Sequence, residues 1–170
     1  MPQPRSVLNT VLWIFQWVWG VFFSITGFGK VLWYKPALWS QALHEVPWFS
    51  AVPLDLLIFI GACEFLGGVG LLLPSLTGVK PRLTPLAACG LTFVMILAAV
   101  FHMVRGEYSF VAVNLVLGGV AAFIAYGRLL VTPIPPMSIS TFRVIQGLAV
   151  LGALALVSFA PAWYRLTHTL

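Results

Sequence analysis

Charge is what this sequence has least of. Only 8% of its 170 residues are Asp, Glu, Lys or Arg, and four of them are acidic. Soluble domains carry about 25%. With 61% hydrophobic residues, no water-soluble fold of this length could hide the apolar surface, so the expected class is an all-α integral membrane protein. The net charge of +5 does not indicate a nucleic-acid partner, because the basic residues stand singly and form no stripe or run. Cysteine is also scarce. Cys63 and Cys89 fall in separate apolar stretches without a CxxC, which reads as small packing residues and argues against a disulfide.

Recognisable chemistry is sparse too. There is no GxGxxG, P-loop or HExxH, and no His, Cys and carboxylate set has metal-ligand spacing, so no metal site is expected. His44, His102 and His168 are too dispersed for paired haem ligation. A covalently bound cofactor is not expected. No serine or cysteine has an evident base beside it, and no inverted repeat argues for a transporter. Arg5 precedes an apolar segment too long for a signal peptide, without a small-residue cleavage site before Gly20, so it reads as a retained first span.

What is present is a series of long apolar runs. A bilayer core needs about 20 such residues per helix. Five stretches qualify within a single membrane domain over residues 1–170: 8–28, 54–73, 84–103, 110–126 and 142–164. Pro53 suits the first position of the second helix and Pro74 its stop. Span five, with only Gln146 and Ser158 as weakly polar interior members, is expected to lie beside a four-helix core, where residues 142–164 would meet other membrane subunits.

Loop charges set the expected orientation. Arg5, Lys80, Arg82, Arg128 and Arg143 fall on one side; Lys30, Lys35, Arg105 and Arg165 fall on the other, with Glu45, Asp55 and Glu107. If Lys30 and Arg105 are held by partners at span ends, the bias places the N-terminus in the cytoplasm and the C-terminus outside, in a bacterial inner membrane. The outer-face loop at 31–52 is rich in aromatics: Trp33, Tyr34, Trp39, Trp48 and Phe49 suit the headgroup interface. "PALWSQALHEV" could form a short surface helix, as a membrane anchor or as a lid.

The run "GACEFLGGVG" sets Glu64 in mid-span. On a 3.6-residue helix it shares a face with Leu57, Gly61, Gly68 and Leu71, and the glycines admit a neighbouring backbone. Gln16, Gly20, Ser24, Gly27 and Lys30 form the matching stripe of span one. Span three presents Met95, Ala98, His102 and Arg105 together; span four presents Asn114, Gly118, Ala121 and Arg128. An unpaired charge at the bilayer centre costs at least about 2.5–3.5 kcal/mol. Glu64 is therefore expected to be paired or protonated, with Lys30 the first candidate partner and His102 or Asn114 the next. Two readings stand. Lys30, Glu64, His102, Asn114 and Arg105 line a polar pocket in the outer half of the bundle, or the acid and its partner only lock the helices in register. Taken singly, His102 also reads as an interfacial histidine, Arg105 and Glu107 as an exposed turn, and Asn114 as interhelical glue.

The order of motifs from Gly27 to Arg128 resembles the DoxX-like family of small membrane proteins. The residues behind this are "GFGK", "GACEFLGGVGLLLP", "VKPRLTPLAACGL", "AAVFHMVRGE" and the region of Asn114. The resemblance implies a four-helix bundle, from which the fifth span departs. It also implies a link to redox metabolism: some members are described as membrane subunits of quinone-reducing thiosulfate oxidation or of oxidative-stress assemblies, and relatives in the broader superfamily act as receptor chaperones. The expected function is an accessory subunit of a quinone-linked redox complex, with a quinone or lipid as the ligand. The rival is a structural or assembly protein.

Overall fold

The computed structural model describes residues 4–32, 39–40, 43–44, 46–136 and 141–168. Trp33, Tyr34, Lys35 and Glu45, and most of the expected surface helix, lie outside these residues. The described chain is helical: α1 (Pro4–Leu32), a 3-10 turn (Pro47–Ala51), α2 (Leu54–Thr77), α3 (Leu83–Val104), α4 (Tyr108–Tyr126), a π-helical turn (Gly127–Val131) and α5 (Thr141–His168). The first four helices are long and apolar enough to cross a membrane, and α5 has a shorter apolar stretch, Arg143–Val157. Phe59, Leu66, Phe93 and Leu115 point outward, as lipid-facing side chains do.

The helix faces follow from the spacing of small and polar residues. On α2, Leu57, Gly61, Glu64, Gly68 and Leu71 are all buried. Opposite them on α1, Gln16, Gly20, Ser24 and Gly27 are buried too. The two helices cross at very short range because glycines meet there. A Cβ on Gly61 would lie 2.5 Å from Lys30 Cβ and 2.8 Å from the Gly27 carbonyl oxygen. One on Gly68 would lie 2.5 Å from the Ser24 amide nitrogen, and one on Gly27 would collide with the backbone of Phe65 and Gly61. Gly20 faces Leu72, and Gly118 of α4 faces Met95 of α3, with Cβ approaches of 2.5 and 3.0 Å.

Pro74 does not stop α2. The helix runs on to Thr77 and ends at Gly78, which takes the left-handed conformation (φ 74°). Proline removes one backbone donor from that turn. Side chains supply others: Gln16 Nε2 donates to the Leu71 carbonyl (2.8 Å), and the Ser75 hydroxyl donates to the Leu72 carbonyl (2.7 Å). Pro53 is the N-cap of α2, one place before the position expected. Helix α5 packs on α1 and α2, with Gly147 against Leu73 and Thr77. The cysteines are free; Cys63 is half-buried and Cys89 is exposed.

Short turns join α2 to α3 and α3 to α4, and the Gly27–Gly61 and Gly20–Leu72 contacts run α1 antiparallel to α2, so the bundle has two unlike ends. One end collects Lys80, Arg82 and Arg128, and is called the basic end below. The other holds Trp39, Trp48, Phe49 and Phe101 and is the aromatic end. There the loop turns inward rather than lying only at an interface: Phe49 is 2% exposed and packs with Val52 and Leu57. Glu107 and Asp55 belong to the aromatic end, and Glu45 lies in the loop that leads to it.

Candidate functional site

Three polar groupings each contain a charged or polar side chain buried in the bundle: Glu64, His102 and Arg128. The first joins α1 to α2. Lys30 Nζ donates to Glu64 Oε2 in a short ion pair, with the side chains 15% and 6% exposed. The pair sits one turn from the Gly27–Gly61 crossing, so close backbones bring the two charges together. Low dielectric strengthens their attraction while desolvation opposes it.

The second grouping is at the aromatic end. His102 ends a buried stripe on α3 and is 3% exposed. Its Nδ1 is 2.6 Å from Glu107 Oε2, and Glu107 Oε1 accepts from Arg105 Nε (3.0 Å), with Arg105 Nη2 2.9 Å away in the same ion pair. The turn is set by Gly106 (φ 73°) and by the Glu107 amide donating to the His102 carbonyl (2.9 Å). Arg105 chiefly, and then His102, hold the Glu107 carboxyl below the usual carboxylate range. Aromatic rings enclose the imidazole. Phe110 stacks on it at 4.9 Å, and Trp48 and Phe101 present edges at 5.1 and 5.2 Å. His102 Nε2 makes no hydrogen bond among the described residues.

The third grouping, at the basic end, was not anticipated as a site. The π-helical turn after α4 brings Arg128 inward to 3% exposure, although its sequence position suggests a loop cation. Its Nε donates to Gln16 Oε1 (3.0 Å) and its Nη1 to Asn9 Oδ1 (2.7 Å) and the Thr132 carbonyl (3.3 Å). The guanidinium lies 4.9 Å over the Trp13 ring. Gln16 passes the link to α2 by donating to Ser75 Oγ (2.7 Å). Arg128 Nη2 and Thr84 Oγ1 are the buried side-chain polar atoms without a partner among the described residues.

The expected pocket residues thus fall into separate contacts. Lys30 and Glu64 meet each other. His102 and Arg105 meet Glu107. Asn114 Nδ2 turns back to the Phe110 carbonyl of its own helix (2.8 Å). Among the described residues no three His, Cys, Asp or Glu side chains gather as metal ligands would. The signals for the third grouping were Gln16 on the polar stripe of α1 and Arg128 on that of α4. A π turn has no sequence signature that would have joined them.

A model of the DoxX-like family matches residues 14–124, from the third turn of α1 nearly to the end of α4. Neither the curated proteins nor the solved structures give a match. The matched stretch contains both the Lys30–Glu64 pair and the His102–Glu107 contact, and covers well over half of the chain: this membrane protein belongs to the DoxX-like family.

Proposed function

We propose that the protein is an accessory subunit of a quinone-linked redox system, and that the quinone headgroup docks at the aromatic end against His102. The observation carrying this reading is the His102–Glu107 contact within a wall of aromatic rings. A carboxylate on Nδ1 orients an imidazole and leaves Nε2 as its working atom. With Nδ1–H donated to Glu107, neutral His102 offers Nε2 as acceptor to a hydroquinone hydroxyl. Protonated, it donates to a quinone carbonyl. Phe110 and Trp48 supply faces and edges for a flat ring. Electrons come from, or go to, another subunit of the assembly, for which α5 offers a lightly packed helix. The cations of the basic end favour the cytoplasmic face of a bacterial inner membrane for that end, which leaves the aromatic end for the outer face.

Titrating the purified protein in detergent with a short-chain quinone tests this. His102→Gln is expected to weaken binding about tenfold or more, the worth of one hydrogen bond to an ionisable group. Unchanged affinity in a folded His102→Gln protein would remove the reading.

A second reading is favoured by the closure of Lys30 and Glu64 on each other beside the glycine crossing. Here the pair only fixes the register of α1 and α2, and the protein serves assembly. On this reading the folded wild type shows no saturable quinone binding, and Glu64→Gln lowers the melting temperature or partner co-purification.

A further inference from the structure

An apolar groove of about 540 Å³ runs between α2 and α3 towards the basic end. Val69, Gly70, Leu73 and Pro74 form one wall and Leu83 and Ala87 part of the other. Its size falls within the range of about 300–1,000 Å³ usual for small-molecule sites. The helices pinch at its floor, where a Cβ on Gly70 would come 2.7 Å from Ala87 Cβ. Thr77 is the one hydroxyl-bearing residue of the lining, and it donates to the Leu73 carbonyl at 2.7 Å. The groove therefore suits a hydrocarbon chain and has little to offer a polar ligand.

The turn that closes its end is of the opposite character. Val79 and Leu83 belong to the wall, and between them stand Lys80 and Arg82, both exposed. Neither forms an ion pair among the described residues. Lys80 is held at φ 47°, the left-handed region that favours glycine, so the turn keeps a lysine in a conformation it does not prefer. Among the described residues no acid lies at this end: Asp55 and Glu107 belong to the other, and Glu64 is bound to Lys30.

An apolar trough ending in two exposed cations, at the end of two helices long and apolar enough to cross a membrane, complements one class of molecule. We propose that this groove binds an anionic phospholipid, with an acyl chain between α2 and α3 and the phosphate against Lys80 and Arg82. The site lies at the opposite end from His102 and stands independently of the quinone reading.

Native mass spectrometry of the purified full-length chain tests it, after addition of phosphatidylglycerol or phosphatidylcholine. The wild type is expected to retain phosphatidylglycerol in preference. Lys80→Gln with Arg82→Gln should reduce that preference at least about tenfold, because both cations that attract the anionic headgroup are removed. Val69→Trp, which fills the groove and leaves the cations in place, should reduce retention of phosphatidylglycerol itself; circular dichroism reports that each variant is folded. Equal retention of the two lipids by the wild type overturns the proposal. So does a preference that survives loss of both cations, or full retention by folded Val69→Trp.

Discussion

Lys30 and Arg128 are both cations drawn into the bundle, and they are compensated in opposite ways. Lys30 has a carboxylate, Glu64, across a crossing so tight that only glycine fits beside it. Arg128 has no carboxylate among the described residues; it is held by two side-chain amides, a backbone carbonyl and the face of Trp13. A compact ammonium needs a countercharge when buried, whereas a planar guanidinium spreads its charge over several weak acceptors. The first arrangement is strong and brittle, because loss of one partner leaves a bare charge. The second is diffuse, because loss of the cation leaves only neutral groups unsatisfied.

That contrast is open to measurement by thermal or denaturant unfolding in detergent. Lys30→Met should show the largest effect, about 3–5 kcal/mol, because Glu64 is left buried without its partner. Adding Glu64→Leu should recover most of the loss, since an apolar pair of similar volume is often neutral. If the double variant is no better than the single, the lock is not electrostatic. Arg128→Met should cost less, about 2–3 kcal/mol, by stranding Gln16 Oε1 and Asn9 Oδ1. A cost as large as that of Lys30→Met would erase the distinction. Gly61→Ala should follow at about 1–2 kcal/mol by forcing Lys30 and the Gly27 carbonyl outward, while Gly119→Ala, which meets nothing within 4 Å, should be silent.

The smallest effect is expected at the aromatic end, from pH. Because the folded protein lowers the Glu107 pKa below its ordinary 4.5, the carboxylate's contribution is complete above that value. It disappears as pH falls through the lower folded value. Amide hydrogen exchange in the Arg105–Tyr108 turn should therefore quicken in acid beyond its intrinsic pH dependence, and Glu107→Gln should abolish that excess.

Much of this architecture was legible in the residues. Apolar runs located the helices, and a 3.6-residue repeat placed Gln16, Gly20, Ser24 and Gly27 opposite Gly61, Glu64 and Gly68. The same repeat set His102 and Asn114 on inward stripes, but stripes give direction and not depth along the bundle. A short turn put Glu107 within reach of His102, and Asn114 satisfied its amide on its own helix. Arg128 reads as a loop charge in the sequence because nothing local announces that α4 continues as a π turn. Pro74 reads as a stop because the compensating donors, Gln16 and Ser75, act through tertiary contact and local side-chain bonding that a proline rule does not contain.

The central claim is that a ligand meets the aromatic end and not the buried ion pair. Photolabelling with an azido-quinone, followed by peptide mapping, addresses it directly. The account predicts label on Trp48 and on residues 101–110, diminished in His102→Gln and unaffected in the Lys30→Met, Glu64→Leu double variant. Label concentrated on the helix turns around Glu64, and lost in that double variant, would contradict it.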